Sequence, residues 1–276
     1  MVTLPGSVVS RYPRFSLYNS PYPAHDTGCA VDLYPETNDA PSPVAGEIID
    51  TRTVSCPPKP YAGEHDHLIL VDMGEYVARI LHVDPGVEPG DRVEVGDSLG
   101  EMVRSGFFGQ WVDNHIHLGV REPTQNAYRA SGSLPLHLDV AVTGIPWDGT
   151  GTVVETGPTH VQLDGPEGSE RGFVAIAADE GVPLDGGLPH YTGGGVLAPH
   201  EGPVSLLGTR VGAATGRDTT WNDVQVVANR TRATGLSLFA SREKFGAKVV
   251  FHEGHTFEEG EEIEVVIREG ERLVLG

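Results

Sequence analysis

The stretch "PGVEPGDRVEVGDSLGEMV" (residues 85–103) decides the fold of this chain. It holds two turn signals, "PGD" and "VGD", in which Gly and Asp supply the conformations that tight connections need. Around these turns the apolar residues Val93, Val95 and Leu99 are separated by polar neighbours. Such alternation is typical of strands with one buried face. We therefore predict a barrel-sandwich hairpin that packs beside a neighbouring hairpin.

The same pattern extends along the chain. Helical periodicity is almost absent, and short alternating runs are separated by Gly, Pro, Asp and Asn. The 36 Gly and 21 Pro are dispersed, which suits many short strands and turns. Predicted strands of the first half are 46–54, 67–73, 76–83, 98–103 and 115–122, and those of the second half lie within 143–164, 224–231, 247–254 and 257–275. The predicted fold class is all-β, a barrel-sandwich hybrid with duplicated hairpins followed by a second β-rich domain.

A chain of 276 residues is long enough for one large domain or two ordinary ones. The segment 121–139 lacks any period, so we place the boundary there. The predicted domains are residues 1–125 and 143–276, joined by a linker over 126–142.

The charge is strongly acidic, with 39 Asp and Glu against 19 Lys and Arg and a formal net charge of -20. Such a surface repels nucleic acid and anionic membranes, so neither is an expected partner. It also favours solubility at high salt, where repulsion between like charges is screened, so a halophilic source is expected. The N-terminal stretch lacks the features of a signal peptide and no run of 18 apolar residues exists, which favours a cytoplasmic location.

Two cysteines are too few for a disulfide framework. Cys29 and Cys56 form either one bridge or two free thiols.

Two histidines in "NHIHL" (114–118) are candidates for chemistry. Residues i and i+2 of a strand share a face, so His115 and His117 can point into one site. Two further candidates lie upstream, Asp32 and His82. Imidazole and carboxylate groups are ordinary zinc ligands, and zinc with three protein ligands keeps a position for water. That water becomes acidic enough to attack an amide near neutral pH.

Four blocks occur in a specific order: "HDTGCAVDLYP" (25–35), "SPVAGEI" (42–48), "ILHVDPGVEPGDRVEVGDSLGEMVRSG" (80–106) and "NHIHLGVRE" (114–122). This order resembles the lysostaphin-type zinc peptidases, the glycyl-glycine endopeptidases that cleave peptide cross-bridges of bacterial cell walls. Their pattern has His-x-x-x-Asp, a Pro-Val-x-Gly turn, a lone strand His, a twice-repeated Gly-Asp segment and His-x-His. The resemblance covers roughly residues 20–123.

The resemblance implies a role for each matched position. Asp32 and His117 would bind zinc, while His82 and His115 would be the catalytic imidazoles that orient water and stabilise the transition state. The third ligand departs from the family pattern, because the position four residues before Asp32 is a glycine. We expect His25, seven residues before Asp32, to serve instead through a bulged loop. Alternative ligands are one thiolate and two more distant imidazoles: Cys29, His65 and His67.

The resemblance therefore predicts a zinc-dependent metalloendopeptidase that hydrolyses a peptide amide bond through a metal-activated water. Its expected cofactor is Zn²⁺ and its expected partner is a peptide, either cell-wall-like or rich in glycine. The alternative is a catalytically degenerate β module of the same fold that acts as a binding or scaffold protein. The role of residues 143–276 stays open at this point.

Overall fold

A computed structural model describes residues 1–168 and 172–275 of the chain. Within these ranges the structure is built almost entirely from 25 strands, so the predicted all-β fold class is confirmed. The two helices, α1 (Gly6–Val9) and α2 (Pro23–Asp26), have four residues each. In the described part of the chain there is thus no helix with the length and apolar character needed to cross a membrane.

The chain divides into two compact units. The first contains residues 1–15 and 28–140, and the second contains residues 16–27 and 141–276. Strand β2 (Arg14–Ser16) covers the first point at which the chain passes from one unit to the other. The division into a first and a second domain therefore follows the predicted order, but its bounds differ from the sequence-based ones.

The first unit contains one six-stranded sheet in the order β3–β11–β7–β6–β5–β9, a three-stranded sheet in the order β4–β10–β8, and the parallel pair β1–β12. Its strands are β1 (Val2–Leu4), β3 (Ala30–Tyr34), β4 (Asp39–Pro41), β5 (Gly46–Ser55), β6 (His65–Asp72), β7 (Val77–Leu81), β8 (Val83–Pro85), β9 (Arg92–Val93), β10 (Ser98–Met102), β11 (Ile116–Arg121) and β12 (Leu136–Leu138). The strands expected in the first half are all present, with bounds that differ by a few residues.

The stretch 85–103 forms β9 and β10 and the turns around them. In each turn an aspartate carboxylate accepts a hydrogen bond from the backbone N–H three residues earlier: Asp91 from Glu88 at 2.8 Å and Asp97 from Glu94 at 2.8 Å. The glycine before each aspartate has a positive φ, 100° and 98°, which a residue with a side chain rarely adopts. The repeated Gly-Asp sequence thus encodes two turns of the same construction.

The apolar residues of this stretch face inward to different extents. Val93 and Leu99 are buried, whereas Val95 is half-buried. Strand β9 pairs with β5, whereas β10 lies between β4 and β8 in a different sheet. The two strands are present as the alternation predicts, but they do not pair with each other, so the predicted hairpin over this stretch is wrong.

The predicted linker over 126–142 needs correction, because most of it belongs to the first unit. The buried guanidinium of Arg121 donates three hydrogen bonds of 2.7 Å to backbone carbonyls of this segment, at Asn126, Arg129 and Ser131. Further on, β12 pairs in parallel with β1 at the start of the chain. These contacts fix residues 126–138, and the first unit extends to residue 140.

The two cysteines lie in the first unit and are not joined by a disulfide. Both Cys29 and Cys56 are half-buried, and neither takes part in a disulfide. Of the two alternatives open from the sequence, the structure has the unbridged one.

The second unit contains a ten-stranded sheet in the order β19–β18–β17–β22–β24–β15–β14–β25–β20–β21. In the same unit, β16 pairs in parallel with β13 and antiparallel with β23. Its strands are β13 (Val142–Ile145), β14 (Thr150–Gly157), β15 (His160–Leu163), β16 (Phe173–Ile176), β17 (Leu184–Leu188), β18 (Gly193–Leu206), β19 (Thr209–Trp221), β20 (Val224–Ala228), β21 (Thr231–Arg232), β22 (Gly235–Leu238), β23 (Ala240–Ser241), β24 (Lys248–Val250) and β25 (Glu262–Glu269). The predicted β-rich second half is confirmed.

The core of the second unit is aliphatic with two tryptophans, Trp147 and Trp221. A histidine, His190, is also fully buried in this unit. Its ring lies against two glycines, since a Cβ at Gly187 or Gly235 would come within 2.6 and 2.5 Å of its nitrogens. The absence of side chains at these two positions makes room for the imidazole.

Candidate metal centre

The six-stranded sheet of the first unit brings Asp32 and His117 together. Strand β11 pairs antiparallel with β3, and in this register His117 is directly opposite Asp32. Side chains of directly opposed residues lie on the same face of a sheet. The Nδ1 atom of His117 is 2.9 Å from Oδ1 of Asp32, and the carboxylate is almost completely buried. Two predicted ligands are thus adjacent because of strand pairing.

Of the three predicted metal ligands, Asp32 and His117 belong to the first unit and His25 belongs to the second. In the described part of the chain, the alternative ligands considered from the sequence, Cys29, His65 and His67, are not members of any group of side chains that could hold a metal ion.

His25 lies on α2 and is buried. Its Nδ1 atom is 2.8 Å from the carbonyl oxygen of Leu17. Because a carbonyl only accepts hydrogen bonds, Nδ1 carries the proton and Nε2 of the neutral ring keeps its lone pair. Metal-binding histidines commonly donate their other ring N–H to a carbonyl in this way. Two imidazoles and one carboxylate are a normal donor set for zinc, so the residues present fit the metal that the resemblance implies.

His115 lies one residue before β11 and is almost completely buried. Its Nδ1 atom donates to the backbone carbonyl of Asp113 at 2.8 Å, which leaves Nε2 as the second ring nitrogen 3.6 Å from Oδ1 of Asp32. Burial lowers the pKa of His115 from 6.5 to about 4, against the opposing effect of the Asp32 charge. The ring is therefore neutral near neutral pH and has an acceptor nitrogen beside Asp32.

His82 follows the last residue of β7, whose neighbour across the sheet is β11. Its ring centroid is 4.9 Å from that of His115 and 5.7 Å from that of His117, in both cases edge to face. The backbone of His82 has φ of 70°, in the left-handed region that non-glycine residues seldom occupy. The structure thus brings the two predicted catalytic imidazoles into contact beside the Asp32–His117 pair.

A fully buried carboxylate, Asp66, supports His82. Its Oδ2 is 2.5 Å from Nδ1 of His82, and its Oδ1 accepts the backbone N–H of the same residue at 3.0 Å. The hydroxyl of Ser105 donates to Oδ2 at 2.6 Å and the N–H of His67 donates to Oδ1 at 2.6 Å. Burial alone would raise the pKa of Asp66, but the His82 contacts and these donors together lower it to about 2. Asp66 is therefore ionised near neutral pH and acts only as an acceptor.

An apolar wall covers one side of the imidazoles. The ring of Phe108 lies 5.1 Å from that of His82 and 4.7 Å from that of His115. The guanidinium of Arg104 stacks 4.8 Å above the Phe108 ring and donates to the backbone carbonyls of the same loop, at Gly109, Gln110 and Val112. Arg104 thereby fixes the loop that presents Phe108 to the two histidines.

Asp66 and Ser105 are the functional candidates that the sequence analysis missed. Asp66 lies in "HDH" (65–67), which resembles ordinary polarity at the start of a strand. One signal was present, however. The turn between β6 and β7 closes with a Met73 N–H to Tyr76 carbonyl hydrogen bond, and the resulting register pairs Leu68 with Leu81. If this register is continued away from the turn, His67 is opposite His82 and Asp66 is opposite the residue after it. Asp66 is therefore expected to lie near His82.

Most of the chain matches two models of one family. Residues 3–138 match the model described as "Domain of unknown function (DUF8155) N-terminal domain", and residues 143–268 match the corresponding C-terminal domain. The interval between the two matches contains the point, after residue 140, at which the chain passes from the first unit to the second. No curated protein matches the chain.

Proposed function

Because the chain belongs to the DUF8155 family, which is described only as being of unknown function, we propose a function from the chemistry of the site itself: a zinc-dependent peptidase that hydrolyses a peptide amide bond. The observation that carries this proposal is the contact of His117 with the buried carboxylate of Asp32 at 2.9 Å, with the imidazoles of His82 and His115 alongside. The resemblance to lysostaphin-type peptidases over residues 20–123 points to the same chemistry.

The proposed ligands are His25, Asp32 and His117. They supply two imidazoles and one carboxylate, and three protein ligands leave a fourth position for water or substrate, as in catalytic rather than structural zinc sites. When bound, zinc supplies the Lewis acidity that polarises a carbonyl and makes water nucleophilic near neutral pH.

The other two imidazoles have complementary hydrogen-bonding states. His115 donates Nδ1–H to the Asp113 carbonyl, and its neutral ring offers Nε2 as an acceptor for a proton of the attacking water. His82 donates Nδ1–H to the Asp66 carboxylate, which orients its ring. His82 is therefore the candidate to pass a proton to the leaving amine through Nε2. The apolar contact of Phe108 with both rings limits their exposure to water.

The expected substrate class is a peptide rich in glycine, including cell-wall cross-bridges, because this is the class that the resemblance implies. The alternative function, a binding or scaffold module that has lost the chemistry, shares the ligand set but requires no proton-transfer groups. The buried Asp66–His82 pair favours the enzyme, because a binding module gains nothing from a polarised imidazole.

The decisive experiment measures metal binding first and hydrolysis second. Protein stripped with a chelator and titrated with Zn²⁺ should take up about one ion per chain, and Asp32→Ala or His117→Ala should weaken binding by at least about tenfold. His67→Ala is the matched control, because this half-buried histidine is outside the ligand group and should leave the affinity unchanged.

Hydrolysis is then measured on the zinc-loaded protein with a fluorogenic pentaglycine peptide. Cleavage that disappears in Asp32→Ala and persists in His67→Ala supports the proposal. A stripped protein with no affinity for zinc, or with affinity that survives both ligand substitutions, would contradict it. Zinc binding without cleavage of any peptide in a random library would favour the binding module.

A further inference from the structure

We propose that Asp66 is a positioning residue that fixes both the backbone conformation and the tautomer of His82, so that Nε2 of His82 is the nitrogen available for proton transfer. The inference rests on the proposed function for the role of His82, but the placement of Asp66 stands on its own contacts. Neither the family description nor the resemblance assigns a role to this residue.

The two oxygens of Asp66 hold His82 at two points. Oδ2 is 2.5 Å from the ring Nδ1, and Oδ1 is 3.0 Å from the backbone N–H of the same residue. A carboxylate that contacts both the backbone and the ring of one residue restricts the backbone angles and the side-chain rotamer together. The ring of His82 therefore has one orientation relative to the sheet that carries the proposed ligands.

The backbone of His82 needs such support. Its φ of 70° lies in the left-handed region, which is unfavourable for a residue with a side chain. Strained conformations of this kind persist where the surroundings over-determine them, and they cluster at functional sites. The charge-assisted hydrogen bond from the backbone N–H to Oδ1 is a direct compensation.

The surroundings of Asp66 keep the carboxylate itself in place. Its side chain is completely buried, and it accepts two more hydrogen bonds, from Ser105 Oγ and from the His67 N–H. With four donors directed at two oxygens, the group has neither a proton to donate nor freedom to rotate. The proton between Asp66 and His82 must then lie on Nδ1 of the ring.

This proton placement determines what the imidazole can do. In a neutral ring with Nδ1–H, the lone pair is on Nε2, the nitrogen on the opposite edge from Asp66. A carboxylate behind an imidazole also stabilises the protonated ring, as in the serine protease triad, where the carboxylate orients the histidine and sets its tautomer. Asp66 is not one of the proposed ligands, and its contacts with His82 are the route by which it would act on the site.

The test begins with the full-length wild-type protein labelled with ¹⁵N at histidine. Long-range ¹H–¹⁵N correlation spectra identify the protonated nitrogen of each ring, and the His82 signals are assigned by their loss in His82→Gln. We expect protonated Nδ1 in His82. A His82 ring protonated on Nε2 alone would overturn the proposal, and this measurement needs no Asp66 variant that folds.

Asp66→Asn then removes the charge and allows the side-chain amide to donate to Nδ1. We expect the His82 signals to move toward the Nε2–H tautomer or a mixture, while zinc stoichiometry is unchanged. Ser105→Ala is the matched control, because it removes one donor to Asp66 without touching His82, and its tautomer should stay as in the wild type. A spectrum of His82 unchanged by Asp66→Asn would overturn the positioning role.

If the wild-type protein cleaves the pentaglycine peptide, Asp66→Asn should lower kcat by about 10²–10⁴-fold with little change in KM, the typical contribution of a positioned proton-transfer group. Asp66→Glu, which keeps the charge, should recover part of this loss. Equal kcat in wild type and Asp66→Asn would overturn the proposal. The tautomer measurement separates the two failures: Nδ1–H in a protein without activity contradicts the proposed function and supports the placement of Asp66.

Discussion

The buried histidine of the second unit makes stability depend on pH in a way that can be calculated. Burial, with a smaller effect from nearby His252, lowers the pKa of His190 from 6.5 to about 3. In the unfolded chain this ring binds a proton below its ordinary pKa, whereas in the folded protein it stays neutral until far lower pH. The unfolded state therefore binds more protons between these values, and the free energy of unfolding falls as pH falls through this window.

The magnitude follows from the position of the window. In the unfolded chain the ring is mostly neutral at about pH 7.5 and protonated at about pH 4.5. The lower end of this range lies about two pH units below the ordinary pKa of 6.5, and each unit changes the free energy of unfolding by about 1.36 kcal/mol. His190 should therefore remove about 2.7 kcal/mol of stability over this range. His190→Gln, which cannot titrate, should lose this part of the pH dependence. It will also lose packing against Gly187 and Gly235, but that loss is the same at every pH and does not affect the slope.

The assay is urea unfolding of the full chain, followed by the fluorescence of the two tryptophans in the core of the second unit, Trp147 and Trp221. A Trp111→Phe background removes the tryptophan of the first unit from the signal. His137→Gln is the matched control, since His137 is exposed on β12. If the curves of stability against pH are parallel for wild type and His190→Gln, the reasoning is refuted.

Two further predictions concern the first unit and the net charge. Arg121→Met should destabilise the first unit by about 2–4 kcal/mol and speed amide hydrogen exchange over 126–131, because three charge-assisted hydrogen bonds to backbone carbonyls are lost. Slow exchange in this segment of the variant would count against an anchoring role. The control is Arg129→Met, at an exposed position of the same segment. Molar KCl should raise the thermal midpoint of unfolding relative to dilute buffer, because a net charge of -20 disfavours the compact state through repulsion that salt screens. Equal midpoints in the two buffers would contradict the expectation of a halophilic source.

The strands and the core of the site follow from short-range features of the sequence. Alternation predicts the strands of the first half, and the spacing of His115 and His117 predicts that they share a face. The register of β11 against β3 adds what spacing does not contain, namely that His117 is opposite Asp32. The departure from the family pattern at Gly28 leaves His25, on α2, as the predicted third ligand.

The features that the sequence did not reveal depend on contacts between distant residues. Asp66 is a single polar residue at the start of a strand, and its role appears only when β6 and β7 are paired. The segment 126–138 has no period because it is held by a buried guanidinium and by a pairing of β12 with β1, more than a hundred residues away. The local alternation of polar and apolar residues cannot predict either of these long-range interactions.

The assignment of residues 16–27 to the second unit has a consequence for how the protein can be divided. The chain enters the second unit after residue 15, returns to the first at residue 28 and leaves it again after residue 140. A single cut near residue 140 would therefore deprive the second half of twelve residues of its own unit and leave them on the wrong fragment. Those residues include Ser16, whose hydroxyl donates to the buried carboxylate of Asp185, and Asn19, whose amide donates to Ser237. A fragment that begins near residue 141 would lack these hydrogen bonds, so we expect the second unit to fold only in a chain that also contains residues 16–27.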